Sequence, residues 1–294
     1  MVRFGLIGAG GYIAPRHMKA IKDTNNDLVS VLDPNDSVGV IDRYFPKSSY
    51  FREFERFDRH IDRVKRTGKA VDYISIASPN YLHDSHIRFA LKNNSHAICE
   101  KPLVLNPYSI NALKELEKET GKNIYPILQL RLHPSIIALK KKIEKSSRKN
   151  HKIVLNYITP RGQWYHYSWK GDYDKSGGIA TNIGIHFFDM LLWIFGSVKN
   201  SYVEYHTDMK ASGYLELDNA SVDWNLSIDS RDLPHNEWKA FRSITIDGEE
   251  IEFSDGFTDL HTESYKQILN GNGFSIDDAE PSLKLVHQIR NSKK

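Results

Sequence analysis

Three groups of residues have the types and spacing to do chemistry. The first is Gly8-Ala9-Gly10-Gly11-Tyr12-Ile13, which closes an apolar run and opens an amphipathic one. Gly8 permits a tight turn there, and Gly10 lets backbone approach a pyrophosphate at a helix N-terminus. Ile13 replaces the third glycine of the dinucleotide fingerprint, so the helix cannot press as closely on the strand. Asp33 ends the next apolar run, at the spacing of about 20 residues that places a carboxylate by the ribose. An aspartate there accepts from a ribose 2′-OH and repels a 2′-phosphate, which favours NAD over NADP.

The second group is Ser78-Pro79-Asn80 with His83, followed by Glu100-Lys101-Pro102. Each stretch follows an apolar run, where the carboxyl edge of a parallel sheet faces a ligand crevice. Pro79 ends its strand and turns the backbone towards that crevice. Pro102 biases Lys101 away from helical geometry. Beside a nicotinamide, burial and a cationic neighbour would depress the lysine pKa and suit it to proton transfer. A polar helix-start role for His83 and a surface-loop role for Lys101 stay open on spacing alone.

The third group lies later in the chain. On a helix, Asn182, His186 and Asp189 share one face, with Phe187 and Phe188 directed into packing. A satisfied core histidine is the competing reading of His186. With no second His or Cys nearby this is a poor transition-metal set, and no metal is expected. The preceding stretch is dense in rings and cations: Arg161, Trp164, Tyr165, His166, Tyr167, Trp169, Lys170 and Lys175. Rings stack on a base or sugar face, and the cations hold phosphate or carboxylate, which suits an anionic nucleotide-sugar. A subunit interface is enriched in the same residue types.

Short apolar runs alternate with amphipathic ones over the first part of the chain. Val2–Ile7, Leu28–Leu32, Tyr73–Ala77, His96–Cys99 and Ile124–Gln129 read as buried parallel strands. Tyr12–Lys22, Phe54–Lys65, Tyr81–Lys92 and Ser109–Thr120 read as the helices between them. The pattern predicts an α/β Rossmann domain with a doubly wound parallel sheet over residues 1–125. From 126 to 294 it predicts an α+β domain for substrate binding and oligomerisation, with a large, open-faced, mainly antiparallel sheet. Its helices are His133–Ile143 and Gly184–Phe195. Its strands are Lys152–Pro160, Ser201–Thr207, Gly213–Leu217, Ala220–Ile228, Phe241–Asp247 and Glu249–Phe253. Ala220–Ile228 alternates strictly, which buries one face. Asp247-Gly248 reads as a hairpin turn.

Composition narrows the classes. The chain has 294 residues, 40% hydrophobic and 11% aromatic, which excludes wholesale disorder. Lys and Arg number 40 against 37 acidic residues, a net charge of +3 too small to argue for nucleic acid or an anionic membrane. One cysteine rules out an internal disulfide framework and fits a reducing cytosol. Phe187–Phe195 is too short for a span and is interrupted by Asp189, and the N-terminus lacks signal-peptide anatomy. A cytoplasmic protein is expected, with no membrane and no nucleic-acid partner.

Taken as a set, the glycine turn, Ser78-Pro79-Asn80 with His83, Glu100-Lys101-Pro102 and the Gly177-Gly178 to His186 stretch resemble the Gfo/Idh/MocA oxidoreductase family. The stretches 161–196 and 257–290 resemble its UDP-N-acetylglucosaminuronate 3-dehydrogenase (WlbA/WbpB-type) branch. The resemblance implies an NAD-dependent enzyme that oxidises the C3 hydroxyl of UDP-N-acetylglucosaminuronate to a ketone in bacterial surface-polysaccharide (O-antigen) synthesis. It also implies a homo-oligomer, often a tetramer, and 2-oxoglutarate as the NADH reoxidant in some members.

By position, the resemblance makes Lys101 and His186 the catalytic pair. Gly8, Gly10, Gly11, Tyr12, Ile13, Asp33, Ser78, Pro79, Asn80, His83, Glu100, Lys101 and Gln129 would line the cofactor. Lys101, Arg131, Arg161, Trp164, Tyr165, Trp169, Lys170, Thr181, Asn182 and His186 would meet the substrate. Many relatives carry Asp where Asn182 stands, and a neutral amide stabilises an imidazolium less, which shifts the base role to Lys101. The competing functions are a dehydrogenase of another sugar or polyol and a non-catalytic NAD- or sugar-sensing regulator.

Overall fold

Arg3–Ile7 (β1) is buried from Phe4 to Ile7, as a strand covered on both faces must be. It sits at the centre of a six-stranded, wholly parallel sheet with Asp27–Leu32 (β2), Ser49–Phe51 (β3), Tyr73–Ile76 (β4), His96–Cys99 (β5) and Ile124–Pro126 (β6). The order β3-β2-β1-β4-β5-β6 reverses direction at β1, which opens a crevice at the carboxyl ends of the strands around β1 and β4. The helices are Ala14–Asp23 (α1), Phe54–Arg66 (α2), His83–Lys92 (α3) and Ser109–Thr120 (α4). Two differences from the sequence pattern stand out. β3 is three residues long, too short to show a period. The run 124–129 leaves the sheet after Pro126 and coils into a 3-10 turn at Gln129–Leu132.

The computed structural model describes residues 1–234, 238–251 and 259–292, and the chain divides into two units. In the second unit lie Pro134–Lys145 (α5), His151–Ile158 (β7), Gln163–Tyr167 (α6), Tyr173–Ser176 (α7) and Ile185–Phe195 (α8). Val198–His206 (β8), Lys210–Leu217 (β9), Ala220–Ser227 (β10), Phe241–Ile246 (β11) and Glu249–Glu250 (β12) complete it. Its sheet runs β12-β11-β7-β10-β9-β8, antiparallel except for the parallel β7–β10 pair. In β10 the alternation holds from Ala220 to Leu226, where Ala220, Val222, Trp224 and Leu226 are buried and Asp223 is exposed, and it ends at Ser227, which is buried too. Asp247 and Gly248 turn the β11–β12 hairpin with φ of 56° and 87°. The remainder of the expected strand Glu249–Phe253, Glu252 and Phe253, lies outside the described residues. Tyr173–Phe195 is long and apolar enough to cross a membrane by composition, yet 72% of its apolar window is buried inside the protein.

The chain does not divide once at 125. After the second sheet it returns to the first unit with Leu260–Leu269 (α9). Tyr265 and Ile268 join Phe4, Met18 and Ile21 in one hydrophobic cluster. Ile276–Asn291 (α10) follows, with Pro281 inside it and its residues from Glu280 onward in the second unit. The sequence pattern predicted neither helix. In α9 the buried positions include His261, Thr262 and Ser264, so burial there does not follow an apolar stripe.

Candidate active site

In the first unit the glycine turn and Asp33 come together. Gly8 has φ of 93°, and a Cβ there would lie 2.5 Å from the Ala77 carbonyl carbon, so only glycine fits. The Gly10 N–H donates to Asp33 Oδ2 and the Asn35 N–H to Asp33 Oδ1, each at 2.8 Å. Asp33 is thereby held at the end of β2, 8% exposed, with lone pairs left for a ribose hydroxyl. The Tyr50 hydroxyl donates to the backbone carbonyls of Asp33 and Asn35 and steadies this corner, which sequence reasoning missed. Gly11 donates back to the Gly8 carbonyl, whereas Tyr12 is 87% exposed. Gln129 is buried, and its side-chain oxygen has no hydrogen-bond partner among the described residues. An orphaned acceptor of that kind suits a ligand's donor. The glycine cradle, the oriented aspartate and this orphan together fit a dinucleotide such as NAD.

Ser78, Asn80 and His83 are buried in the turn after β4. Ser78 Oγ bonds His86 Nδ1 at 2.9 Å, and burial lowers the His86 pKa to about 4. His83 faces two backbone carbonyls rather than open space: Nδ1 lies 2.7 Å from the Pro102 oxygen and Nε2 2.8 Å from the Ser78 oxygen.

Glu100 also differs from the expected cofactor lining. Its Oε1 accepts from His261 Nε2 at 2.7 Å and His17 Nε2 at 3.1 Å. His17 Nδ1 accepts from the Tyr265 hydroxyl at 2.7 Å, and Tyr265 meets Ser75 Oγ at 2.6 Å. Burial opposes ionisation of Glu100, but the two histidines hold its pKa well below the usual carboxylate value. Burial is the main cause that lowers the His17 pKa. Two imidazoles and a carboxylate can ligate a metal, and these atoms lie within 4.8 Å of one another. Here Glu100 receives both N–H groups directly, so the set is complete as a hydrogen-bond network. The half-buried Lys101 follows, its own N–H 3.3 Å from Glu100 Oε2 and its peptide bond to Pro102 cis.

The second unit gathers the cationic–aromatic residues. Lys170 Nζ lies 4.6 Å from the Trp169 ring centroid and 5.8 Å from that of Trp164, and Arg161 lies over Tyr165 at 6.0 Å. Burial and the Arg161 charge lower the Lys170 pKa. Arg161 Nε is a buried donor without a partner among the described residues. Asn182 Nδ2 donates to the Tyr165 hydroxyl at 2.8 Å, tying this loop to the glycine-rich stretch.

Gly177 has φ of 84°, and a Cβ there would lie 2.7 Å from Thr181 Cγ2. The chain then makes a π-helical turn, Ala180–Gly184, before α8. An uninterrupted α period therefore does not relate Asn182 to His186, as the sequence reading assumed. His186 is half-buried on the first turn of α8, Thr181 is buried, and Phe187 and Phe188 are packed. Arg131, expected at the substrate, is engaged by a carboxylate of its own unit. Its Nε and Nη2 donate to Asp189 Oδ2 and Oδ1 at 2.9 and 2.8 Å, with both side chains buried. Asp189, which the spacing sets on one face with Asn182 and His186, is thus paired with Arg131.

Family models match both halves of the chain. Residues 2–127 match the oxidoreductase family's NAD-binding Rossmann fold, and residues 151–293 match its C-terminal alpha/beta domain. A WlbA (WbpB) dehydrogenase from Thermus thermophilus, solved with NAD and alpha-ketoglutarate, superposes with a TM-score of 0.96 at 49% identity, covering 100% of this chain and 96% of that one. The same enzyme solved with NAD and UDP-GlcNAcA matches at 48% identity with the same TM-score and coverage. Among curated proteins, glucose-6-phosphate 3-dehydrogenase of Bacillus subtilis (strain 168) is 27% identical over 202 residues, 67% of this chain. The match spans 55% of that relative's length. On these grounds the chain belongs to the Gfo/Idh/MocA oxidoreductase family, with the NAD-binding Rossmann fold in its first half and the alpha/beta domain in its second.

Proposed function

We propose that this chain oxidises the C3 hydroxyl of UDP-N-acetylglucosaminuronate with NAD, a step of bacterial surface-polysaccharide synthesis. The observation that carries the reading is the 48% identity, over the whole chain, to a dehydrogenase solved with NAD and UDP-GlcNAcA. NAD, when bound, accepts the hydride leaving C3. Gly8 to Ile13, Asp33, the turn 78–80 and Gln129 bind and orient it. Lys101 takes the hydroxyl proton as the C–H bond breaks, leaving the 3-keto sugar. His186 orients the hydroxyl oxygen. Arg161, Trp164, Tyr165, Trp169, Lys170 and Asn182 hold the UDP and the sugar carboxylate, supplying remote binding energy.

Reoxidation of NADH by 2-oxoglutarate, reduced to 2-hydroxyglutarate, follows the alpha-ketoglutarate complex of the same relative. We read the protein as a cytoplasmic homo-oligomer, a tetramer in the family's manner. A phosphorylated hexose is the second reading, favoured by the likeness to glucose-6-phosphate 3-dehydrogenase.

The test is the NADH absorbance of the purified protein with each substrate. UDP-N-acetylglucosaminuronate should produce the band and 2-oxoglutarate should then abolish it. N-acetylglucosaminuronate lacking UDP should bind far more weakly by calorimetry. Equal affinity for the two would remove the nucleotide-sugar reading, and reduction by glucose 6-phosphate alone would install the second.

A further inference from the structure

His83 stands at the start of α3, 1% exposed, with a carbonyl oxygen at hydrogen-bond distance from each ring nitrogen. A carbonyl only accepts, and a neutral imidazole carries one N–H. In the neutral ring one nitrogen would therefore point a lone pair at a buried oxygen, leaving both atoms unsatisfied. Only the imidazolium, with two N–H donors, satisfies both contacts.

The two carbonyls belong to different turns. Ser78 lies in the turn after β4, and Pro102 follows Lys101 in the turn after β5. We propose that His83 is a positively charged clasp that ties these two turns together and thereby positions Lys101 and the cofactor-facing backbone. The part concerning Lys101 rests on the function proposed above.

The charges around the ring decide whether it can hold its proton. Burial is the largest influence and lowers the His83 pKa, while the two carbonyls and the Glu100 charge raise it and Lys101 opposes them. His86, the next imidazole on α3, is neutral at ordinary pH and adds no repulsion. Glu100 is the buried counter-charge, held ionised by His17 and His261. Burial outweighs these contacts in the ring's pKa, but the short approach of both oxygens leaves no acceptor role for either nitrogen. Geometry thus favours the charged form over the desolvation trend. The network of His17, His261 and Tyr265 then has a use beyond packing: it keeps the negative charge that His83 needs.

Two readouts test the clasp on the intact protein. Long-range proton–nitrogen spectra of the ¹⁵N-histidine-labelled chain at pH 7, with the His83 signals assigned by their loss in His83→Gln, should give two protonated-type nitrogens. One protonated and one pyridine-type nitrogen would overturn the proposal. Glutamine can reach only one of the two carbonyls. His83→Gln should therefore slow single-turnover NADH formation about tenfold or more and weaken NAD binding, with affinity for the UDP-sugar unchanged. Wild-type rate and NAD affinity in a folded His83→Gln protein would also overturn it. Lys101→Met separates this proposal from the function it rests on. The His83 signals should persist in that variant, because the clasp uses the carbonyl of Pro102 and not the lysine amine. Full turnover in Lys101→Met would sink the base assignment, and the clasp would still be judged on the His83 spectra and on His83→Gln.

Discussion

The pairing of Arg131 with Asp189 yields the sharpest prediction about what holds the second unit. Asp189→Ala removes both acceptors, at 2.8 and 2.9 Å, from a guanidinium whose side chain is 6% exposed. The charge cannot lose its proton and stays buried over the Trp193 ring without its carboxylate. Breaking such a pair costs about 3–5 kcal/mol, which lowers the melting temperature by roughly 6–20 °C for a domain of this size. Arg131→Met with Asp189→Leu removes both charges and fills the space, so the double variant should recover most of that loss. Thermal melts of both variants and the wild type measure the stability, and calorimetry with UDP-N-acetylglucosaminuronate measures binding. The double variant should bind the sugar nearly as well as wild type. A stable Asp189→Ala protein, or a folded double variant that has lost UDP-sugar affinity, would refute the reasoning and return Arg131 to the substrate.

Lys101→Met keeps the stem and deletes the proton acceptor, so single-turnover NADH formation should fall by at least ~10²-fold with little change in NAD affinity. His186→Asn should lose less and keep the ionisation that limits the rate at low pH; the reverse pattern would make His186 the base. Asp33→Ala should weaken NAD binding and narrow the preference over NADP, and a wild-type preference for NADP would contradict the placement of that carboxylate beside Gly10. His86 makes acid sensitivity predictable. Burial lowers its pKa from 6.5 to about 4, so the fold holds it neutral while the unfolded chain takes up a proton. Its contribution is therefore complete above about pH 6.5 and is lost as pH falls towards 4, an effect of order 3 kcal/mol. His86→Phe, which keeps a ring stacked on Phe54, should flatten that part of the denaturant-melt profile; an unchanged slope would contradict it.

The sequence spoke most clearly where backbone geometry admits few residues. Gly8 and Asp33 are legible because a strand-to-helix turn around a ribose needs a positive φ and a carboxylate at those places. Ala220–Ile228 is legible because one buried face imposes a period of two. The network of His17, Ser75, Glu100, His261 and Tyr265 was hidden, since its members are scattered over the chain and α9 buries polar residues that no apolar stripe betrays. Asn182, His186 and Asp189 were placed on one face by an α-helical period that the π turn at Ala180–Gly184 breaks. Local spacing does not link Arg131, assigned to the substrate by resemblance alone, to Asp189, an acid of the same unit far along the chain.

Oxidation at one carbon of one sugar is open to a direct isotope-transfer measurement. UDP-N-acetylglucosaminuronate carrying deuterium at C3 would be mixed with NAD and stoichiometric protein, and the nicotinamide analysed after a single turnover. NADH formation should be slowed by the heavier isotope, with the deuterium recovered on the nicotinamide ring and a ketone at C3. NADH formed without deuterium, or a sugar that retains it while another carbon is oxidised, would contradict the account.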